Sequence, residues 1–378
     1  MKTAFIYSEE FAKYDYGPGH PLKPFRLKLT HDLIQAYGLL SLPGVRIVEA
    51  QPAAEEDLLL YHSRDYIEVL KAADNGIGMP GAERYGLGFG DNPVFAGVFE
   101  WSRLVTGASL QAAELVDSGE ASIAFNISGG LHHALASRAS GFCYINDPVI
   151  LISFLLKRGR RVAYIDIDAH HGDGVQDAFY RTDKVLTISL HESGEYLFPG
   201  TGFEGETGEG EGSGCSVNIP LPPDSDDELF VYAFHEVVPP LIETFRPDIV
   251  VSQLGVDSFR TDPLAHLHYT TTGFCEVVRK MKGLSDRWVA LGGGGYEMTN
   301  VARAWTLAWS IMNDVDPADE LPESFLERYP LEGFRSRRLR DEAYREQGAR
   351  KEMMRDEVRR VVSRIREMRC RKRTPHVP

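Results

Sequence analysis

The residues best suited to chemistry lie in the segment RVAYIDIDAHHGDGVQ, residues 161–176. Its first half is apolar and partly β-branched, which predicts a buried strand. Side chains alternate along a strand, so Asp166, Asp168 and His170 are expected on one side, with Asp173 following. Because burying so many unpaired charges is costly, the cluster predicts a divalent cation with Asp168 and His170 as ligands. A surface loop rich in Asp and Gly is the alternative, but it does not explain the apolar lead-in.

Three further predicted strand ends supply polar groups. Asp257 ends the apolar run DIVVSQLGVD, the tandem His132 and His133 follow a glycine pair, and Tyr296 follows four glycines. In a parallel sheet the carboxyl ends of the strands lie along one edge, so these groups are expected to converge. Asp257 would then complete three protein ligands and leave a position open for water and substrate, which is the catalytic pattern. Taken alone, Asp257 is equally suited to capping a helix or closing a turn.

The two histidines are predicted to transfer protons. A single histidine is more often a hydrogen-bonded structural residue, but two adjacent ones with Asp166 and Asp173 as partners suit acid–base work. A carboxylate behind an imidazole fixes its tautomer and raises its basicity. The glycines before Tyr296 permit close backbone approach, and its phenol could donate to a developing oxyanion. A phosphate-binding loop is the alternative there, although no Lys-Ser or Lys-Thr follows the glycines.

The elements that position these groups are strands alternating with helices. This pattern predicts an α/β fold with a central, mostly parallel sheet flanked by helices and the active site at the C-terminal ends of the strands. It also predicts a helix over 55–74, a strand over 248–257, and a glycine-rich loop over 192–214 that leads to a helix over 226–245. No low-complexity linker divides the chain, so we expect one catalytic domain over residues 1–330.

Residues 331–378 are predicted to form a basic C-terminal helical extension, with 16 Arg and Lys against 8 Asp and Glu. The whole chain has a net charge of −14, so the body before this extension is strongly acidic. The apolar residues of the extension fall on one helical stripe, formed by Met354, Val358, Val361, Ile365 and Met368. We favour a helix docked on the body of the protein. Self-association through a short coiled coil is the alternative.

Composition excludes several other classes. The acidic body argues against direct nucleic-acid binding. Cys143, Cys215, Cys275 and Cys370 are widely spread without CxxC spacing, which predicts neither a disulfide framework nor a structural zinc site. The N-terminal residues do not resemble a signal peptide, and no apolar run approaches the roughly 20 residues of a membrane helix. We therefore expect a cytoplasmic protein with no membrane association.

Seven short motifs occur in order along the chain, and they are GGLHHA (129–134), GFCYIND (141–147), YIDIDAHHGDGVQDAFY (164–180), SLH (189–191), FPGTG (198–202), LGVDS (254–258) and LGGGGY (291–296). They resemble the motifs of zinc-dependent histone deacetylases over roughly residues 5–315. The resemblance is strongest to class I enzymes and their bacterial relatives, which include acetoin-utilisation deacetylases and histone deacetylase-like amidohydrolases. It implies the arginase–deacetylase fold, which agrees with the predicted sheet.

The resemblance implies a role for each member of the polar cluster. Asp168, His170 and Asp257 would ligate zinc. A site of this composition with open positions also suits ferrous iron. His133, paired with Asp173, would be the general base for the hydrolytic water.

The same resemblance assigns the remaining polar groups of the site. His132, paired with Asp166, would lie beside the general base and assist it electrostatically. Tyr296 would hydrogen-bond the substrate carbonyl and stabilise the tetrahedral oxyanion. Arg26 matches an arginine that lines an internal cavity behind the metal.

A substrate channel is also implied by the resemblance. Gly141, Phe142 and Phe198 would form a narrow channel for an acyl-lysine side chain, with the two rings facing each other across its alkyl stem. Asp91 matches a rim aspartate that binds the substrate backbone. Leu264 falls at the channel rim, where the related polyamine deacetylases carry a Glu.

Two structural potassium sites complete the implied set. The first would use backbone oxygens and one hydroxyl from Asp166, Asp168, His170, Ser189 and Leu190. The second, more distant site would involve Phe179, Thr182 and Val185.

The sequence thus predicts a zinc-dependent amidohydrolase that removes acetyl or longer acyl groups from lysine, so that its partner is an acyl-lysine-bearing protein. An acetylpolyamine amidohydrolase is the alternative enzyme, but the apolar Leu264 favours acyl-lysine over a cationic polyamine. A protein that reads acyl-lysine without turnover is the alternative of a different class. The complete set of ligands, histidines and Tyr296 argues against that alternative.

Overall fold

The fold is built around eight β-strands that form one sheet. The computed structural model describes residues 2–75, 80–88, 90–330, 333–334 and 336–372, with side chains as far as Met368. The strands are β1 (Thr3–Tyr7), β2 (Val45–Glu49), β3 (Ile123–Asn126), β4 (Val162–Asp166), β5 (Val185–Glu192), β6 (Ser216–Leu221), β7 (Ile249–Gln253) and β8 (Trp288–Leu291). All except β2 are buried along their whole length, as expected for apolar sequences such as VAYID in β4.

All eight strands pair in parallel, in the order β2-β1-β3-β8-β7-β4-β5-β6. The last strand of the chain, β8, therefore lies in the middle of the sheet between β3 and β7. Asp166 at the end of β4 aligns with Gln253 at the end of β7 and with Ser189 on β5. The carboxyl ends of these strands thus meet at one edge, and the predicted α/β fold with a parallel sheet is confirmed.

Helices flank the sheet in two packed groups. Those in the described residues are α1 (Phe25–Ala36), α2 (Glu55–Leu58), α3 (Arg64–Ala72), α4 (Val98–Asp117), α5 (Asp147–Lys157), α6 (Asp173–Phe179), α7 (Asp227–Phe245), α8 (Thr271–Lys282), α9 (Met298–Met312), α10 (Glu323–Arg328) and α11 (Ala349–Lys372). One group runs α1–α9–α8–α7–α11, and the other runs α4–α5–α6. In the described part of the chain, no helix is both long and apolar enough to span a membrane.

The helix predicted over 55–74 and the strand β6 differ between prediction and structure. The helix predicted over 55–74 is broken into α2 and α3, because the Ser63 hydroxyl accepts a hydrogen bond from Tyr66 N and caps a new helix. Strand β6 is absent from the prediction. Its sequence SVNIPL follows a glycine-rich loop and contains Pro220, which cannot donate to a strand ladder and so argued against a strand.

The chemical residues lie past the strand ends, so the predicted alternation of Asp166, Asp168 and His170 along one strand was wrong. β4 ends at Asp166, whose carboxylate accepts from Asp168 N at 3.1 Å, and Asp168 accepts from His170 N at 3.0 Å. Such local side-chain bonds turn the backbone out of the strand. β7 is likewise shorter than predicted and ends at Gln253, before Asp257.

The C-terminal helix α11 packs against α7 and β6. Its apolar stripe faces the body, with burial of Met354, Val358, Val361 and Ile365 and partial burial of Met368. Lys351 Nζ is also buried and forms an ion pair with Asp226. The docked arrangement favoured from the sequence is the one in the structure. The domain boundary at residue 330 stays a prediction.

Candidate metal and catalytic site

Two carboxylates and an imidazole converge at the carboxyl edge of the sheet, and we call Asp168, His170 and Asp257 the ligand group. Asp168 and His170 follow β4, and Asp257 follows its neighbour β7. One ligand atom from each lies within 4.8 Å of the others, and all three residues are buried. His170 Nδ1 is 3.2 Å from Asp168 Oδ1 and 2.9 Å from Asp257 Oδ2. The three residues predicted as ligands therefore meet in space.

The electrostatics of the ligand group fit a bound cation. Burial and the charge of Asp168 raise the pKa of Asp257 to about 7. Burial opposes the charged form of His170, but the two carboxylates outweigh it and raise its pKa to about 10. Among the described residues, no Lys or Arg forms an ion pair with either carboxylate. A divalent cation would offset the cost of these buried charges, and the donor set suits zinc or ferrous iron.

Amide donors hold the two carboxylates in place. Gln253 Nε2 donates to Asp168 Oδ2 at 2.6 Å, and Gly294 N donates to the same oxygen at 2.7 Å. Ala169 N donates to Asp257 Oδ1 at 2.8 Å. A Cβ at Gly294 would lie 2.1 Å from Asp257 Oδ2, so only glycine lets this loop approach the ligands. The sequence prediction missed Gln253, although a polar residue ending the apolar strand IVVSQ was a usable signal.

The tandem histidines form two carboxylate–imidazole pairs. His132 Nδ1 lies 2.7 Å from Asp166 Oδ2, and His133 Nδ1 lies 2.7 Å from Asp173 Oδ1. The two Nε2 atoms are 3.0 Å apart. Tyr164 OH also donates to Asp166 Oδ2 at 2.7 Å. The sequence prediction gave Tyr164 no polar role, because it lies in an apolar strand. The partners are those that the family resemblance implied, and the catalytic roles stay predictions.

These contacts give the two imidazoles different protonation states. Burial opposes a charged His132, but Asp166 and Asp168 outweigh it and raise its pKa to about 9. Burial and the positive charge of His132 lower the pKa of His133. With His132 doubly protonated, its Nδ1–H donates to Asp166, and the Nδ1–H of His133 donates to Asp173, which leaves Nε2 of His133 as its basic nitrogen. His133 is then neutral at neutral pH, which is the state that a general base requires.

A buried carboxylate and an amide fix the loop that carries the histidines. Asp147 Oδ1 accepts from Gly130 N at 3.1 Å and from Leu131 N at 2.9 Å. Asn146 Nδ2 donates to the carbonyl oxygens of His132 and Ala134 at 3.0 and 2.9 Å. The sequence prediction gave Asn146 and Asp147 no role, because only the folded chain brings them under the loop.

Tyr296 reaches the site from the glycine loop after β8. Its N–H donates to Asp262 Oδ2 at 2.7 Å, and its ring centroid lies 5.5 Å from that of Phe142. Burial and the charges of Asp257 and Asp168 keep the pKa of its phenol well above the usual value. The hydroxyl therefore stays protonated and is able to donate a hydrogen bond.

Arg26 lies behind the glycine loop and holds it from the other side. Its NH1 and NH2 donate to the carbonyl oxygens of Gly295 and Gly293, each at 2.7 Å. The guanidinium is buried and lies 5.3 Å from the ring centroid of Trp305. These contacts support the loop that carries Tyr296, and a cavity lined by Arg26 stays a prediction.

Aromatic rings cover the polar cluster. Phe198 is 44% exposed, and its ring lies 5.1 Å from that of His133, whereas Phe142 packs against Tyr296. A Cβ at Gly141 would lie 2.5 Å from the His133 ring. Phe142 has a φ of 68°, which is rare for a residue other than glycine and costs free energy. The Phe142 ring is therefore held against Tyr296 by a strained backbone conformation.

Asp91 and Leu264 contact residues that adjoin Phe142 and Tyr296. The Asp91 side chain is exposed, and its carbonyl oxygen lies 3.1 Å from His20 Nε2. The His20 ring in turn lies 4.5 Å from the Phe142 ring, which connects Asp91 to the aromatic cover. Leu264 is half-buried, and its N–H donates to Asp262 Oδ1 at 3.1 Å. Both residues are thus linked to the surroundings of Tyr296 and Phe142.

The residues of the two predicted potassium sites lie at opposite ends of β5. Ser189 and Leu190 are near its carboxyl end, where Ser189 aligns with Asp166 on β4. The second set is near its amino end and comprises Phe179, Thr182 and Val185. Both potassium assignments stay predictions.

A second cluster of two carboxylates and an imidazole, Glu9, His31 and Asp32, lies elsewhere in the molecule, and we call it the Asp32 group. Its ligand atoms also lie within 4.8 Å of one another. Lys28 Nζ lies 3.0 Å from Glu9 and 3.4 Å from Asp32, and Arg328 lies 3.0 Å from Asp32. Because side chains already supply the positive charge, this cluster does not need a metal ion.

The parallel eight-stranded sheet with polar groups at its carboxyl edge is the arginase–deacetylase α/β fold. Comparison with known proteins identifies the family. Residues 20–312 match the model of the histone deacetylase domain. The chain belongs to the histone deacetylase family, as the sequence motifs predicted.

Individual relatives agree with this assignment. Histone deacetylase B from Dictyostelium discoideum is 42% identical over 323 residues, which cover 85% of this chain and 76% of that protein. The acetoin utilization protein AcuC from Bacillus subtilis (strain 168) is 42% identical over 335 residues, 86% of each chain. The crystal structure of a histone deacetylase homologue from Aquifex aeolicus superposes with a TM-score of 0.87 at 38% identity, covering 97% of this chain and all of that one.

Proposed function

We propose that this protein is a zinc-dependent deacylase that hydrolyses the amide of N-ε-acetyl-lysine, or of a longer acyl-lysine, in proteins. The observation that carries the proposal is the convergence of the ligand group with an Asp-paired His133 and with Tyr296 under an aromatic cover. A protein that only bound acyl-lysine would have no use for a general base. This difference favours an enzyme over a reader.

Asp168, His170 and Asp257 would hold the metal ion. When bound, zinc polarises the amide carbonyl and lowers the pKa of water toward neutrality. Ferrous iron suits the same ligands. Gln253 and Gly294 hold the Asp168 carboxylate, and such supporting contacts tune a metal site almost as strongly as its ligands.

His133 would move the proton. Its Nε2 accepts a proton from the attacking water while Asp173 holds the Nδ1–H, and the same nitrogen then donates the proton to the leaving lysine amine. The second imidazole, His132, keeps its Nδ1–H on Asp166 and adds positive charge beside the reacting carbonyl. One histidine thus transfers protons and the other stabilises charge.

The substrate side chain would pass between Phe142 and Phe198 to reach the ligand group. A long methylene stem suits such an aromatic cover, since it loses its contact with water there. Leu264 supplies an apolar side chain at the rim and no carboxylate to attract a second ammonium group. This favours acyl-lysine over acetylpolyamine, which is the second candidate substrate.

We propose potassium as a structural ion beside the site, held by backbone oxygens of Asp166, Asp168, His170 and Leu190 with the Ser189 hydroxyl. The alignment of Ser189 with Asp166 on adjacent strands supports it, because it brings the two backbones together. A more distant potassium site at Phe179, Thr182 and Val185 rests on the family resemblance.

The first experiment is hydrolysis of a matched panel of acetyl-lysine peptides, longer acyl-lysine peptides and N-acetylated polyamines, each with and without a chelator. We expect chelator-sensitive release from lysine peptides. Turnover of polyamines alone would replace the proposed substrate with the second candidate. Binding of acyl-lysine peptides by the metal-loaded protein with no turnover of any substrate would favour a reader.

A Tyr296→Phe variant tests the proposed oxyanion donor. We expect kcat to fall by roughly 10²- to 10³-fold with little change in KM, as for other oxyanion donors. Tyr37→Phe is the matched control, because its hydroxyl donates to the Glu320 carbonyl outside the site. Undiminished turnover in Tyr296→Phe would contradict the role of this phenol.

A further inference from the structure

Asp262 is a buried carboxylate that has no role in the proposed chemistry. It lies on the loop between β7 and α8, five residues after Asp257, and is 6% exposed. Among the described residues it forms no ion pair. Its side chain accepts from the backbone N–H groups of Tyr296 and Glu297 after β8 and from that of Leu264, two residues farther along its own loop. A buried charge is costly to keep in place, so these contacts call for an explanation.

The contacts of Asp262 reach both the proposed oxyanion donor and the channel rim. Oδ2 accepts from Tyr296 N at 2.7 Å and from Glu297 N at 3.3 Å. Oδ1 accepts from Leu264 N at 3.1 Å. One carboxylate therefore ties the start of the Tyr296 side chain to the rim and to the loop that carries Asp257.

The segment before Tyr296 has little means of fixing itself. Gly293 and Gly295 have φ values of 138° and 143°, and glycine gives a backbone no side chain with which to anchor it. Arg26 donates to carbonyl oxygens of this segment, and Asp262 accepts from the N–H groups of Tyr296 and Glu297. Arg26 thus binds the backbone acceptors of this loop, and Asp262 binds its backbone donors.

We propose that Asp262 is a positioning residue that sets the place of the Tyr296 hydroxyl over the ligand group and couples it to Leu264 at the rim. This inference rests on the proposed function, because it matters for catalysis only if Tyr296 stabilises the transition state. A displacement of about 1 Å in such a group can cost roughly 100-fold in rate.

Asp262→Asn tests the proposal. The amide has only one acceptor oxygen, so it cannot accept from both Tyr296 N and Leu264 N as the two carboxylate oxygens do. We expect kcat to fall by roughly 10- to 100-fold with KM changed by less than about threefold. Asp227→Asn is the matched control. The Asp227 carboxylate accepts from Thr270 N at 2.8 Å, and Thr270 lies at the other end of the loop that carries Asp262. Loss of the Asp227 charge should therefore leave kcat unchanged.

Two readouts separate positioning from a general loss of stability. In a Tyr296→Phe background the effect of Asp262→Asn should shrink to less than about threefold, since the two residues act through the same hydroxyl. Amide hydrogen exchange of a peptide covering 292–298 should accelerate in Asp262→Asn but not in Asp227→Asn.

The outcomes distinguish this inference from the proposed function. Full turnover in Tyr296→Phe would overturn the role of the phenol itself. A slow Tyr296→Phe together with unchanged kcat in Asp262→Asn, or with fully additive losses, would overturn the positioning role alone. Unchanged exchange over 292–298 would overturn it as well, even where Tyr296→Phe is too slow to assay.

Discussion

The ligand group and the Asp32 group each bring two carboxylates and one imidazole within 4.8 Å of one another, but the pKa values of Asp257 and Asp32 shift in opposite directions. In the Asp32 group, burial works against the ionised carboxylate. Hydrogen bonds from His31 and Tyr329 and the charges of Lys28 and Arg328 outweigh it and lower the pKa of Asp32 to about 2. In the ligand group, burial and the neighbouring carboxylate prevail, and the pKa of Asp257 rises to about 7.

The difference teaches how to separate a structural cluster from a metal site. A buried carboxylate needs a positive partner. Where Lys28 and Arg328 supply it, the cluster is complete within the chain. At Asp168 and Asp257 the positive partners in the described chain are histidines, and His170 has to give up its proton in order to bind a metal, so a bound cation would take over that charge. Composition and compactness alone do not distinguish the two cases.

The largest expected effect follows from metal removal. Exhaustive chelation should lower turnover by roughly 10³-fold or more, because both water activation and carbonyl polarisation are lost. One equivalent of zinc per chain should restore it, since the Asp32 group already has its cations. Metal analysis alongside activity checks this stoichiometry. Tight binding of a second zinc ion at the Asp32 group would contradict the conclusion that this group needs no metal ion.

Asp257→Asn should stabilise the metal-free protein at pH 8. A folded-state pKa of about 7, above the usual value near 4, means that metal-free wild type loses stability as pH rises through this interval. The amide does not titrate, so the variant should exceed metal-free wild type by about 2 kcal/mol at pH 8. Urea unfolding at pH 5 and pH 8 measures this. A variant less stable than wild type at pH 8 without metal would contradict it, and added zinc should reverse the order.

Asp32→Asn should lower the stability of the folded protein, whereas Asp257→Asn should raise that of the metal-free protein. A folded-state pKa of about 2, below the usual value, contributes stability that is present above about pH 4 and lost as pH falls toward 2. The variant should therefore be less stable by about 2 kcal/mol at pH 7, and the gap should narrow on acidification. Chemical denaturation at several pH values tests this. Activity per folded molecule should not change, and a loss of kcat would show that the group is not purely structural.

The smallest effect is expected at the exposed member of the Asp32 group. Glu9 pairs with Lys28 at 3.0 Å, but its side chain is 59% exposed. Solvent-exposed ion pairs contribute little, so Glu9→Gln should cost less than about 1 kcal/mol. The same unfolding measurement compares it with Asp32→Asn. A loss as large as that of Asp32→Asn would mean that burial does not explain the difference between the two carboxylates.

Much of the fold and of the ligand group could be predicted from sequence, because parallel strands end at one edge and buried strands are visible as apolar runs. That logic located Asp168, His170 and Asp257 at one site even though β4 and β7 end earlier than predicted. It failed for β6, where Pro220 and the preceding glycine-rich loop hid a strand. It also failed at Ser63, a helix cap inside an apparently continuous helix.

Supporting residues were the harder part of the site to predict. Gln253 and Asp262 act through contacts with segments distant in sequence, and no spacing rule reveals such contacts. Asn146 and Asp147 lie inside a recognisable motif, but their grip on the histidine loop depends on the folded chain. The Asp32 group likewise has no sequence pattern, since Glu9 and Arg328, a cationic partner of Asp32, lie far apart in the chain.

The central position of β8 has a consequence for how the chain assembles during synthesis. β3 leads to the loop that carries the two histidines, and β4 and β7 lead to the ligand group, yet the halves β2-β1-β3 and β7-β4-β5-β6 share no strand pairing until β8 enters between them. Of the eight strands, β8 is the last to be synthesised, so until then each half has an unpaired edge at the centre of the future sheet. Such edges recruit strands from other chains, and the nascent protein is most vulnerable to misassembly just before Trp288–Leu291 emerges.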